Sequence, residues 1–167
     1  MNDNLRVALS FVKTVIDNNS KFVVAGSVND LIHFKKSNVA PIEPNDLDII
    51  ICDKDIIKKL SKFVKVNGEF ELPIYDNFLK HTQFFIFVFG VRVDIFMVSE
   101  HDFNNIDKEY INVDDMNIQF QSKDLCISNH KEYVDFFINY SDSAEFSRFK
   151  KHSKRLSFYT MIENNKL

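Results

Sequence analysis

Three aspartates and a Gly-Ser pair are the residues of this chain best placed to do chemistry. Asp46 and Asp48, one leucine apart in PNDLDIII, open an isoleucine-rich run. In a strand, residues two apart point to the same face, so both carboxylates project together while Leu47 and Ile49 turn to the core. Carboxylates that close repel unless a cation or hydrogen bonds compensate. Hard divalent cations such as Mg²⁺ or Mn²⁺ take oxygen ligands of this kind. Asp94 lies within a second apolar run, GVRVDIFMV, where an embedded charge is expensive unless paired or coordinated. Three carboxylates on neighbouring strands can hold two Mg²⁺ ions close together, the arrangement used for in-line phosphoryl and nucleotidyl transfer. Gly26 and Ser27 end a third apolar run, in VVAGSVNDL, and lead directly into helical periodicity. Backbone N–H groups and a hydroxyl at a helix N-terminus form a natural cradle for phosphate.

Each feature alone has a plainer explanation. Pro44, Asn45 and Asp46 are common turn formers ahead of a strand. Asp94 could pair with Arg92 or a lysine, and Ser27 could simply cap its helix. The order favours chemistry: strand, Gly-Ser, helix, then Asp-Leu-Asp on a strand, then Asp94 on a hairpin strand.

The elements that must position these residues read as a mixed arrangement. Leu5 to Ile16 is an amphipathic helix with Val7, Phe11, Val12 and Val15 along one side. KFVVAGS is a short buried strand and VNDLIHFKK a helix. The proline-punctuated segment SNVAPIEPN leads to the strand LDIIICD, and Asp53 or Lys54 opens the helix KDIIKKLSKFV. FELPIY is a short edge strand on account of Pro73. TQFFIFVFGVRVDIFMV is a hairpin turning near Phe89-Gly90, MNIQFQS another strand, and the remainder helical, roughly 123–139 and 143–163. This predicts an α/β (α+β) fold, a mixed sheet flanked by helices, with helices closing the chain.

Composition narrows the class. At 167 residues the chain is expected to be one domain, a core of about 1–121 with a helical segment of about 122–167. With 18 Phe and no Trp, much of the core should be phenylalanine. A net charge of −3 argues against a broad nucleic-acid-coating surface, though not against a local basic patch. Cys52 and Cys126 lack metal-motif spacing, so free thiols in a reducing cytoplasm are expected. The N-terminus is too polar for a signal peptide and no apolar run approaches a membrane span.

The ordered motifs resemble those of the nucleotidyltransferase superfamily related to DNA polymerase β, in minimal form. The matched region runs from about Phe22 to Val98 and holds Gly26-Ser27, Asp46-Leu47-Asp48 and Asp94. Two departures stand out: the stretch between Ser27 and Asp46 is longer than the family usually shows, as if Pro41 and Pro44 marked an insertion or lid, and no arginine closely follows Gly-Ser. The resemblance implies that Asp46 and Asp48 bridge two Mg²⁺ (or Mn²⁺) ions, one arriving with the NTP. It implies that Asp94 binds the other ion and helps deprotonate the acceptor, and that Gly26 and Ser27 hold the β- and γ-phosphates.

Two basic features follow in the C-terminal third. Lys131 interrupts the stripe Ile127, Lys131, Val134, Ile138, so it either snorkels to solvent or reaches a cleft. The family's use of a basic residue from this region implies a triphosphate contact. Arg148, Lys151, His152 and Arg155 fall at i, i+3, i+4 and i+7, either a solvated face or a track for nucleotide phosphates or RNA. In KHSKRLSF the acid that relatives carry after a Lys-His pair is missing, so that pair receives no catalytic role. The resulting expectation is transfer of an NMP from an NTP to a hydroxyl on an RNA end, a protein or a small molecule. The rivals are a metal-dependent glycosyltransferase, which also uses an acid–x–acid triplet, and a non-catalytic nucleotide-binding or toxin–antitoxin-type regulator.

Overall fold

The structure, a computed structural model, describes residues 1–16, 21–36, 42–71, 82–139 and 146–164. The strands are β1 (Phe22–Ala25), β2 (Asp46–Ile51), β3 (Asn67–Glu71), β4 (Thr82–Val88), β5 (Val91–Met97), β6 (Lys108–Val113) and β7 (Met116–Gln121), and β1, β2, β4 and β5 are runs rich in β-branched and aromatic residues. The helices are α1 (Asp3–Ile16), α2 (Gly26–Lys36), α3 (Lys54–Ser61), α4 (Glu100–Asn105), α5 (Lys123–Asn139) and α6 (Phe146–Asn164). The chain divides into two compact units, Met1–Asn29 with Ile42–Gln121, and Asp30–Pro41 with Ser122–Leu167. No helix among the described residues is long and apolar enough to cross a membrane.

The first unit is built on one seven-stranded mixed sheet, in the order β3-β4-β5-β2-β1-β7-β6. β2 runs parallel to β5 and antiparallel to β1, while β1 runs parallel to β7. One face of the central strands is wholly apolar: Leu47, Ile49, Ile51, Val93 and Ile95 are fully buried. α1 contacts β2, β5 and α3, and its buried residues are Leu5, Ala8, Leu9, Val12 and Ile16. Of the stripe expected through Val7, Phe11, Val12 and Val15, only Val12 is buried, and Val7 is 44% exposed. The helix is apolar on two sides, and tertiary packing chose the side with Leu5, Leu9 and Ile16, which repeats at 3.6-residue spacing.

Other boundaries shifted by a few residues. β2 starts at Asp46 rather than Leu47 and stops before Cys52. Asp53 caps α3, its side chain accepting from the Asp55 N–H, but the helix ends at Ser61 instead of continuing to Val64. β3 is an edge strand that overlaps the expected FELPIY strand only at Phe70 and Glu71, and the rest of that segment, Pro73 included, lies outside the described residues. α4 and β6 are elements the sequence reading did not assign. α4 is opened by Ser99, whose hydroxyl accepts from the Asp102 N–H. β6 joins β7 through Asp114-Asp115, both at positive φ (50° and 63°), a two-residue turn of the kind that suits hairpin twist.

The second unit pairs α5 with α6 and carries the later part of α2. Phe34 of α2 packs against Tyr159 and Phe158 of α6, with ring centroids 4.8 and 5.3 Å away. Neither Cys52 nor Cys126 forms a disulfide.

Candidate functional site

Strand register brings the three acids together. In the parallel pairing of β2 with β5, Asp48 stands opposite Asp94 and Asp46 opposite Arg92. Neighbouring strands lie about 4.8 Å apart, so side chains level in register on one face must meet. Asp46, Asp48 and Asp94 each offer a carboxylate oxygen within 4.8 Å of the others. Asp46 and Asp48 are half-buried, and Asp94 is buried.

Gly26 and Ser27 adjoin this cluster at the start of α2. Ala25 pairs with Asp48 across β1 and β2, so the turn into the helix passes over the acids. Gly26 has φ +61°, and a Cβ built on it would collide with the Asp48 carboxylate. Glycine is thus required both by backbone conformation and by the close approach of Asp48. The buried Ser27 hydroxyl donates to Asp46 Oδ1 at 3.2 Å. It is joined to the acid cluster rather than serving only as a cap. The first turn of an 11-residue helix stands over the carboxylates, where its N–H groups and dipole favour negative charge.

Arg92 is the cluster's internal counter-ion. Its Nε donates to both Asp94 oxygens at 3.0 and 2.9 Å, and Nη2 donates to Oδ1 at 2.8 Å. The buried Gln83 amide donates to the same Oδ1 at 2.9 Å. The Asp94 hydrogen bond, then its charge and those of Asp46 and Asp48, push the Arg92 guanidinium pKa up. Both explanations of Asp94 therefore hold together: it is ion-paired to Arg92 and it belongs to the acid cluster. Three carboxylates and one guanidinium leave a formal charge of −2 on an all-oxygen donor set. That charge and ligand chemistry fit Mg²⁺ or Mn²⁺.

Lys131 lies on α5 in the second unit and is exposed. The buried stripe of α5 is Cys126, His130 and Phe137, so the stripe through Lys131 and Ile138, itself 67% exposed, is not core-facing. The basic stripe of α6 is also corrected. Arg148 and Lys151 are exposed, but Arg155 is only 6% exposed. Its Nη1 forms an ion pair with Asp30 Oδ2 at 3.0 Å. Asp30 Oδ1 accepts from the Tyr159 hydroxyl at 2.8 Å and lies 3.1 Å from His130 Nε2. His130 Nδ1 in turn lies 2.8 Å from His152 Nδ1. His152 stacks on Tyr133 with centroids 4.0 Å apart. Burial first, then the neighbouring His130 and Arg155, lower the His152 pKa to about 3. Burial and the Asp30 carboxylate keep the Tyr159 phenol protonated.

Sequence reasoning missed this network, although one signal was present. Asp30, His130 and Arg155 each sit one or two helical turns from buried apolar residues of their own helix: Phe34, Cys126 and Phe137, and Tyr159 and Ile162. A charge on a core-facing stripe needs a buried partner.

No protein-family model and no curated protein matches the chain. Solved structures do. The crystal structure of a candidate nucleotidyltransferase from Thermotoga maritima superimposes with a TM-score of 0.57 at 18% identity, covering 86% of this chain and 89% of that one. An antigenic nucleotidyltransferase-like protein from Paracoccidioides brasiliensis gives 0.56 at 10% identity, covering 95% and 76%. At these identities the likeness is one of architecture: this chain has a nucleotidyltransferase-like fold.

Proposed function

We propose that the chain is a metal-dependent nucleotidyltransferase that moves an NMP from an NTP to a hydroxyl acceptor and releases pyrophosphate. The observation that carries this reading is the meeting of Asp46, Asp48 and Asp94 within 4.8 Å on one sheet face. Those three carboxylates would hold divalent magnesium or manganese, which when bound neutralises triphosphate charge and polarises the reacting phosphoryl group.

The chain's own groups account for the rest. N–H groups at the start of α2, with the Ser27 hydroxyl, bind the β- and γ-phosphates. Gln83 and Arg92 fix the orientation of the Asp94 carboxylate. Asp94 takes the proton of the acceptor hydroxyl as its oxygen forms a bond to the α-phosphorus and pyrophosphate leaves on the opposite side. Positioning and charge stabilisation provide most of the catalysis in such transfers, so a small domain suffices.

One observation supports a second reading, a non-catalytic nucleotide-binding regulator on the same fold. Arg92 engages both Asp94 oxygens and gives the cluster a cation of its own. A single experiment separates the two. The protein is incubated with each α-labelled NTP, Mg²⁺ or Mn²⁺ and a cell extract, while pyrophosphate is measured in parallel. Metal-dependent pyrophosphate release with labelling of an extract component, both lost in Asp48→Asn, supports transfer. A rise in melting temperature with Mg²⁺ and NTP, without release from any NTP, supports the regulator.

A further inference from the structure

The sheet orders more than acids across this face. Moving along it from β1, the rows are Ala25, then Asp48 and Asp46 on β2, then Asp94 and Arg92 on β5, then Phe85 and Phe87 on β4. Register partners in a sheet share a face, so the two phenylalanines continue the surface that carries the acids. The contacts are continuous: the Arg92 guanidinium lies 4.6 Å over the Phe85 ring, and Phe85 meets Phe87 edge-on at 6.0 Å. Phe87 is 55% exposed, and Phe89 at the hairpin tip is 71% exposed.

Phe89 is also conformationally costly. It has φ 48° and is followed by Gly90 at φ 79°, a turn whose first position favours Asn, Asp or Gly. A bulky aromatic there is strained, and at this exposure its ring gains little from the core. Such a side chain is better explained by what it touches outside the fold.

We infer that Phe87 and Phe89 form a stacking platform for the terminal base or bases of a single-stranded nucleic acid whose end supplies the acceptor hydroxyl. This rests on the nucleotidyl-transfer reading and names its acceptor class. The side of the site decides which substrate sits here. The triphosphate cradle, Gly26 and Ser27, adjoins β2 on its β1 edge, whereas the phenylalanines lie beyond Asp94 on the opposite edge. The acceptor therefore approaches over β4, with its hydroxyl at Asp94. Ring faces suit bases of any sequence, since every base presents a π face. A net charge of −3 does not suit a long phosphate track, but stacking the last bases of a strand requires none.

The test uses a short single-stranded RNA carrying 2-aminopurine at its 3′ end, titrated with the full chain in Mg²⁺ while base fluorescence is followed. Wild type should quench the probe by stacking. Phe87→Ala and Phe89→Asn should each weaken binding by about 10-fold. Phe89→Asn is the discriminating variant: Asn suits the turn, so its melting temperature should hold or rise while binding falls, which a purely structural role would not produce. Unchanged RNA binding in both variants overturns the platform. So does weakened NTP affinity in place of weakened RNA affinity, which would reassign the rings to the incoming base. Pyrophosphate release without probe quenching would sink the platform and leave the transfer reading standing. Ring-dependent quenching with no release from any NTP would do the reverse.

Discussion

Replacing Gly26 by alanine tests the geometry of the acid cluster more sharply than removing an acid. Gly26 lies at φ +61° against the Asp48 carboxylate, whereas Gly90 lies at φ +79° with nothing within 4 Å of an added Cβ. Both alanine variants pay for left-handed backbone, about 1–2 kcal/mol for a non-glycine residue. Only Gly26→Ala must also displace a neighbour, an overpacking cost of about 1–3 kcal/mol. In a chain of this size 1 kcal/mol moves the melting temperature by roughly 2–4 °C. Gly90→Ala should therefore melt about 4 °C below wild type, and Gly26→Ala about 10 °C below. The functional effect should be larger than the stability effect, because Asp48 relieves the overlap by leaving the position it shares with Asp46 and Asp94. Thermal melts with and without Mg²⁺ and NTP, together with pyrophosphate release at a temperature where all three proteins are folded, provide the assay. Equal melting shifts for the two variants, with Gly26→Ala keeping full stabilisation by Mg²⁺ and NTP, would refute the claim that this contact shapes the site.

Two further outcomes concern the helical unit. Asp30→Asn leaves Arg155 buried without its charge partner, a loss of about 3–5 kcal/mol that should lower the melting temperature by roughly 10 °C; a change of less than about 2 °C would mean the network is not structural. The His152 pKa is depressed from 6.5 to about 3, so between those values the unfolded chain binds a proton that the folded one refuses. Stability should thus fall as pH drops through that window, by about 1–2 kcal/mol at pH 5 for a half-buried ring, and His152→Phe should flatten denaturation midpoints between pH 5 and 7.

Strong short-range patterns made much of the site legible. Alternation in GVRVDIFMV placed Asp94 opposite the apolar face, and Phe89-Gly90 marked the hairpin turn where it occurs. Asp-Leu-Asp followed by isoleucines could hardly fold other than as a strand with both acids on one side. The failures share a cause, dependence on partners distant in sequence. Arg155 looked solvated because its neighbours in the chain are charged, while its partner, Asp30, lies on a different helix. α1 offered two apolar sides, and only packing against β2 and β5 distinguished them. β6 was overlooked because it is an edge strand whose Tyr110 is 63% exposed, leaving little alternation to detect. Placement of β7 beside β1 is a long-range pairing with no local signature.

The level pairing of Asp48 with Asp94 has a consequence for how such a chain can diverge. What aligns the acids is register between two strands, not distance along the polypeptide. Residues added between Lys36 and Asp46 leave that register untouched, whereas one residue inserted within β2 or β5 would turn an acid through the sheet and into the core. Selection on such a site would be blind to spacer length and unforgiving inside a strand. The interval between the Gly-Ser pair and the first acid can then lengthen or shorten while Asp48 and Asp94 stay level.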